Sequence, residues 1–378
     1  MADVNRTNGG ANLPALRSHN TALVLDLLRS AGAGGISRLE LAERTGLTPQ
    51  AVSKITGRLR EAGLAVEAGH RASTGGKPRT VLRLVPGAGH AVGVHLDRDA
   101  LRAVLVDLGG AVVAERCAAL DLGGGAGAEA VVAVVAGEVG ALVEGVADGA
   151  VGAVVGLPGE GKPSLLGVGI ALPGPLDHSR GVLHRVTGFP EWDGFPLREA
   201  LARRLGVPVA VDKDTNAAAL GLAVAGERGS FAYLHLGTGL GAGLVIGGAV
   251  HRGARTAAGE FGHQVVQLDG PPCGCGDRGC VEALCLAAVA RGDLPEAARV
   301  LGIAAGNLVA LLDIDLVLLG GRTVAAAPDA FLRGISAVLD ERARRTGEAT
   351  VPVRVAVGGV AEGAAQLVLA PLFGRADA

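Results

Sequence analysis

Gly93-Val94-His95-Leu96-Asp97-Arg98-Asp99 and Tyr233-Leu234-His235-Leu236-Gly237-Thr238-Gly239 stand 140 positions apart and share one pattern. Each is an alternating apolar run that ends in a tight loop, and each leads on to a second apolar run, Val104–Val106 or Leu244–Ile246. A strand, a loop and a strand used twice imply a duplicated α/β body with a cleft between its halves. The two loops differ in kind. Gly237-Thr238-Gly239-Leu240-Gly241-Ala242-Gly243 has the backbone freedom to wrap a phosphate. Asp97, Arg98 and Asp99 place side chains, two of them acidic, where a polyphosphate needs bare amides.

At 378 residues the chain is longer than one compact domain usually is, and its charge is unevenly spread. Residues 1–90 hold twelve Lys/Arg and six Asp/Glu, a net of +6, so the whole-chain value of -2 leaves -8 for the rest. A basic head on an acidic body suits a head that touches a polyanion. The division is expected at 1–86 and 87–378.

Within the head, Leu23, Val24, Leu27 and Leu28 form one helical face between Asn20 and Ser30. Ser37 and Glu40 have capping-box spacing and open a short helix through Leu39, Leu41 and Ala42, which Gly46 ends. Thr48 as N-cap and Pro49 at the first position open a third helix reaching about Gly63. Val52, Ile55, Leu59 and Ala62 form its inward stripe, leaving Gln50, Ser53, Lys54 and Arg58 outside. That is the helix-turn-helix pattern. Gln50, Ser53 and Lys54 are assigned to base readout, and Thr48, at the Pro49 helix start, with Arg58 to phosphates. Leu64–Val66 and Val81–Leu84 could pair around a basic tip containing Lys77 and Arg79, the composition of a DNA-contacting wing.

In the body, His263, Cys273, Cys275 and Cys280 follow His-x9-Cys-x-Cys-x4-Cys, one imidazole and three thiolates suited to structural zinc. Glu282 follows two residues after the last ligand, so metal binding would fix its position as well. Cys117 and Cys285 read as ordinary buried thiols. Asp212, Asp214 and Asn216 open an Ala-rich helix, either as caps or as carboxylates that take hydrogen bonds from substrate hydroxyls. The uncharged stretch Gly229–His251 contains seven glycines, which favour strands around a loop over a membrane span. The N-terminus lacks the apolar core of a signal peptide, so a cytoplasmic protein without membrane contact is expected.

Together these residues resemble the ROK family (repressors, open reading frames and kinases) of the sugar-kinase/actin/Hsp70 superfamily. The head with its Gly75-Gly76-Lys77-Pro78-Arg79 wing is similar to that of the family's repressors. Ala171-Leu172-Pro173-Gly174-Pro175 resembles the sugar-side turn, Asp212–Ala218 the segment of the kinase base, and Leu236–Gly239 the second phosphate loop. Glu260-x-Gly-His263 with the three cysteines resembles the family's sugar and zinc signature. The resemblance implies an actin-like, two-lobed (ASKHA) α/β body behind a winged helix-turn-helix. It also implies sugar contacts from Gly174, Asp214, Glu260, His263 and Glu282 with Asn216 in support, and zinc on His263 and the cysteines.

There are departures from the family pattern. The kinases' Asp-x-Gly-Gly-Thr loop is replaced by His95–Asp99, which implies loss of ATP transfer. Gly188 stands where the family has a sugar-contacting asparagine, and the stretch between Glu282 and Asp293 is shortened. The expected protein is a non-enzymatic transcriptional regulator of carbohydrate genes. It binds operator DNA as a homodimer or tetramer and answers to a sugar or sugar phosphate. One alternative makes the body only a dimerisation or docking platform; the other is an ATP-dependent hexose kinase.

Overall fold

The computed structural model describes residues 19–71, 79–122, 127–147, 164–184 and 190–375. Lys77 in the wing and Gly188 lie outside the described residues. The head comprises α1 (His19–Ala31), β1 (Ile36–Ser37), α2 (Arg38–Thr45), α3 (Pro49–Glu61), β2 (Ala65–Arg71) and β3 (Arg79–Leu84). The first lobe follows as β4 (His90–Leu96), β5 (Ala100–Asp107), β6 (Val112–Ala119), α4 (Gly127–Ala147), β7 (Leu165–Leu172), β8 (Leu176–Asp177), β9 (Val182–Leu183), α5 (Leu197–Leu205) and β10 (Val209–Lys213). Then come α6 (Asp214–Ala225), β11 (Phe231–Leu236), β12 (Leu240–Ile246), β13 (Ala249–Val250), α7 (Val281–Ala290) and α8 (Leu294–Leu312). The chain ends through β14 (Leu316–Gly320), α9 (Arg322–Ala326), α10 (Pro328–Thr346), β15 (Val353–Val355) and α11 (Val360–Leu369).

In the head, the Ser37 hydroxyl accepts the Glu40 N–H while the Glu40 carboxylate accepts the Ser37 N–H, so the capping box is complete. Thr48 Oγ1 accepts the Ala51 N–H and starts α3. Gly46 and Gly63 adopt positive φ at the helix ends, where a side chain would be strained. The wing sheet has a third strand that local patterning does not signal: β1 pairs antiparallel with β3, Ile36 opposite Leu82. Two residues cannot declare a strand by alternation.

The duplication is explicit in the sheets. The first runs β6-β5-β4-β7-β10 and the second β13-β12-β11-β14-β15, in each case an antiparallel hairpin extended by parallel strands. Alternate residues face opposite layers. In β4, Val92, Val94 and Leu96 join the core under α4 and α5, while Ala91 faces the other way. In β11, Ala232, Leu234 and Leu236 pack beneath α7, α8 and α10, and Phe231 and Tyr233 face α6 and α11. Gly229–His251, which raised the membrane question, forms β11, β12 and β13. One described helix, α8, is apolar and long enough to cross a membrane; its Ala297, Ala298, Leu301, Ala304 and Ala305 are buried in the second lobe's core. One thiol departs from expectation. Cys117 is exposed on β6, beside Glu115, because β6 is the sheet's edge strand; Cys285 is buried, which pushes its thiol up to about 12.

Between the two sheets lie α6 and α11, packed with almost no space. A Cβ at Gly93 would stand 1.9 Å from the Ala361 carbonyl oxygen, and one at Gly169 would stand 1.8 Å from that of Ala364. Gly221 and Gly363 meet where the helices cross, and a Cβ at Gly363 would lie 2.1 Å from the Ala217 oxygen. These neighbours are backbone atoms and cannot rotate away. Gly363→Ala is therefore expected to cost about 2 kcal/mol or more, by overpacking. Gly137→Ala, on the exposed side of α4 with nothing within 4 Å, should be neutral or stabilising by up to about 1 kcal/mol. Denaturant titration of both variants measures the difference.

Candidate functional site: a cleft between the lobes and an exposed recognition helix

The cleft is assembled from loop ends that the two sheets bring together. The turn after β7 supplies Pro173 and Gly174, and the junction of β10 with α6 supplies Lys213, Asp214 and Thr215. From the second lobe come Thr238 to Gly241, then Glu260, His263 and Glu282. Of the expected sugar residues, Gly174, Asp214, Glu260, His263 and Glu282 all line this one cavity. Asn216 does not. It is fully buried one turn into α6, where its Nδ2 donates to Asp212 Oδ1 at 2.9 Å. Asp212 in turn pairs with Arg252 at 2.7 Å, both side chains almost completely buried. The pair anchors the strand end beneath the site, since breaking a buried ion pair costs about 3–5 kcal/mol.

Lys213 is the residue that sequence reasoning missed. Its side chain is 4% exposed, and its Nζ donates to Glu260 Oε1 at 2.8 Å and to the Ala258 carbonyl at 2.6 Å. Glu260 therefore reaches the cleft already neutralised by an internal cation. The one available signal was a lysine between two aspartates at a helix start. Glu282 Oε2 accepts the Leu240 N–H at 2.8 Å, tying the second glycine loop to α7. The free volume is only about 100 Å³, below the roughly 300–1,000 Å³ usual for ligand pockets.

Asp214 sits beside a buried aromatic group. The Tyr233 hydroxyl and His235 Nδ1 share a hydrogen bond of 2.9 Å, and the His95 ring stands edge-on to that of His235 at 6.2 Å. Burial raises the Tyr233 phenol well above its ordinary range, with the Asp214 charge adding to the effect. Burial also holds the His95 imidazole below its usual value, against the pull of Asp214.

The first loop spans the cleft. Thr238 Oγ1 donates to Asp97 Oδ1 at 3.1 Å, and Arg322 holds Asp99 with contacts of 2.8 and 3.1 Å. Asp99 is held below the usual carboxylate range by the Arg322 hydrogen bond. Two carboxylates of the first lobe thus bind donors of the second across the mouth of the site.

The four metal-ligating candidates converge. One ligand atom from each of His263, Cys273, Cys275 and Cys280 lies within 4.8 Å of the others. Cys275 and Cys280 Sγ are 3.7 Å apart, as are Cys273 Sγ and His263 Nδ1. Two thiolates about 2.3 Å from a tetrahedral zinc stand about 3.8 Å apart, so the set fits that ion. Burial, reinforced by the neighbouring thiols, pushes Cys280 up to about 12, which makes a cation the natural partner of its thiolate. With Nδ1 turned to the cysteines, His263 has Nε2 left for the cleft.

In the head, Thr48, Pro49, Gln50, Ser53, Lys54 and Arg58 are exposed along α3, and Arg79 is exposed at the start of β3. Val52, Ile55 and Leu59 are buried beneath them. Arg60 and Arg38 lie 3.1 and 3.8 Å from Glu67 of β2, which holds α3 and the wing in one unit.

The comparisons with known proteins agree with this division. The description "ROK family" matches residues 148–291, and "Winged helix-turn-helix DNA-binding" matches residues 22–65. A putative xylose repressor of Caldicellulosiruptor sp. (strain Rt8B.4) is 28% identical over 352 residues, covering 82% of this chain and 84% of its own. A ROK family transcriptional regulator, described as a homolog of the E. coli MLC protein, superposes with a TM-score of 0.75 over 95% of this chain and 98% of its own. At 20% identity that likeness establishes the fold alone. A ROK family glucokinase from Streptomyces griseus, solved with glucose and AMPPNP, is 26% identical with a TM-score of 0.59, covering 74% of this chain and 99% of its own. Residues 148–291 thus resemble the ROK family and stand behind residues 22–65, which resemble a winged helix-turn-helix DNA-binding domain.

Proposed function

We propose that the protein is a DNA-binding repressor of sugar-metabolism genes, with a head of residues 1–86 and a body of residues 87–378 that senses a sugar or sugar phosphate. The observation that carries this reading is the acidic first loop. Asp97 and Asp99 occupy the place where a nucleotide's phosphates need bare amides, and they hold the second lobe through Thr238 and Arg322. A like charge at that position repels a polyphosphate, while the opposite wall keeps Asp214, Glu260, His263 and Glu282 for hydroxyl groups. The similarity to a putative xylose repressor makes pentoses the first effectors to try.

The chemistry follows from the contacts. A sugar entering the narrow cleft donates hydrogen bonds from its hydroxyls to the site's carboxylates and exchanges places with Lys213 at Glu260. It binds one spacing of the lobes better than another and shifts the population accordingly. The head follows because α1 is fastened to the body's C-terminal segment. Arg375 reaches Asp26 at 3.0 Å, and the Arg29 guanidinium lies 4.5 Å above the Phe373 ring. We assign a structural zinc to His263, Cys273, Cys275 and Cys280, where it would fix the start of α7 and with it Glu282. A cytoplasmic homodimer or dimer of dimers suits a palindromic operator.

Selection of genomic fragments by the purified protein should recover a discrete, roughly palindromic site whose affinity changes with a pentose, hexose or phosphorylated sugar. Arg58→Ala should weaken binding to all sequences and reduce the salt slope by about one, whereas Gln50→Ala should relax base preference. Diffuse, salt-sensitive binding alone would refute the operator reading. Equal operator affinity with and without every sugar would favour the reading in which the body is only a dimerisation platform.

Sugar-dependent ATP turnover should be absent. If it were present and lost in Asp214→Ala, the hexose-kinase reading would replace this one. Removal of metal by a strong chelator should lower the melting temperature by roughly 5 °C or more, since a closed thiolate site contributes to folding. An unchanged melting temperature would remove the zinc assignment.

A further inference from the structure

A second cavity, of about 570 Å³, lies at the joint of head and body. Its walls are the end of α1 with Arg29, the far end of α6 with Arg228, the start of α11 with Glu362 and Gln366, and Arg375 beyond it. The volume falls within the range of small-molecule sites, whereas the cleft between the lobes is several-fold smaller.

The charges on this cavity are unbalanced. Arg29 and Arg375 share one carboxylate, Asp26, at 3.0 Å each. Arg228 has no ion-pair partner among the described residues. Glu362 is taken up by Arg102, which also holds Glu115. Three guanidiniums therefore face a space in which the nearby carboxylates are already shared or engaged. Burial disfavours the charged form of Arg29, Asp26 offsets this, and Arg375 adds repulsion. A further anion between the arginines would relieve that repulsion.

A second, independent observation points into the same space. Gln366 is 6% exposed and lines the cavity, yet its Oε1 has no hydrogen-bond partner. A buried amide oxygen without a donor costs about 1–3 kcal/mol. A ligand hydroxyl would satisfy it.

We propose that this cavity is a second ligand site, for a small phosphorylated polyol whose phosphate lies among Arg29, Arg228 and Arg375 and whose hydroxyl donates to Gln366. The site touches α1 of the head and both central helices of the body, so an occupant ties the three together. Since α6 runs from Asp214 in the first cleft to Ala225 at this cavity, one helix has an end in each site. The binding claim does not depend on the proposed repressor function.

The test is calorimetry of the full chain with glycerol 3-phosphate, and with inorganic phosphate and glycerol as its two halves. Glycerol 3-phosphate should bind saturably, one per chain, and at least tenfold more tightly than inorganic phosphate; glycerol should not bind. Arg228→Glu, at an exposed position, should weaken glycerol 3-phosphate at least tenfold. Gln366→Leu should abolish the preference over inorganic phosphate while leaving phosphate itself bound. Amide exchange should slow in residues 221–229 and 357–366. No saturable binding of either phosphate, wild-type affinity in Arg228→Glu, or protection confined to residues 237–241 would each overturn the assignment.

Discussion

The close contact of α6 with α11, and of α11 with the first sheet, is the constraint on which the rest of the body depends. Backbone rests on backbone at Gly93, Gly169, Gly221 and Gly363. Helix contacts made through side chains normally hold axes 8–10 Å apart, with freedom to slide as rotamers change. Without side chains at these four points, the layers have one register. That register sets where β10 hands over to α6, and so where Lys213 and Asp214 enter the cleft. It also sets where α11 begins, and so where the head finds its seat: Ala361, Ala365 and Leu369 share a core with Val24, Leu28 and Leu82 of the head.

Charge inside the cleft is arranged by the same register. Asp212 and Asp214 are two residues apart, yet one is locked beneath the site by Arg252, Asn216 and its own strand end, and the other lines the open space. Lys213 between them crosses to Glu260. An acid-lined site thereby carries its own counter-ion, which holds Glu260 in place without ligand. At the cleft mouth, Asp97 and Asp99 take donors from the facing lobe. These two contacts join the first loop to the facing lobe.

Much of this was legible in the sequence, because the signals are short in range. The capping box of Ser37 and Glu40 and the N-cap of Thr48 involve residues three apart, and both form as their spacing requires. The period-two runs around Gly93 and Tyr233 become equivalent central strands. The ligand spacing of His263, Cys273, Cys275 and Cys280 closes into one cluster because glycine turns lie between the ligands. Errors arose where exposure depends on a residue's place in the sheet or helix bundle. Cys117 reads as a buried thiol and sits on an edge strand. The two-residue β1 strand exists only because β3 offers it an edge.

The sequence by itself determined the order of parts: a basic three-helix head with a wing, two copies of a strand-loop-strand body, four candidate metal ligands at fixed spacing and a first loop made acidic. Only the tertiary structure decided which of those parts meet. The contact of Thr238 with Asp97 spans 141 positions, that of Arg322 with Asp99 spans 223, and that of Arg375 with Asp26 spans 349. No periodicity or spacing encodes such pairs. Each is fixed by the fold's layers, whose glycine-tight packing leaves the charged side chains at their edges one set of partners.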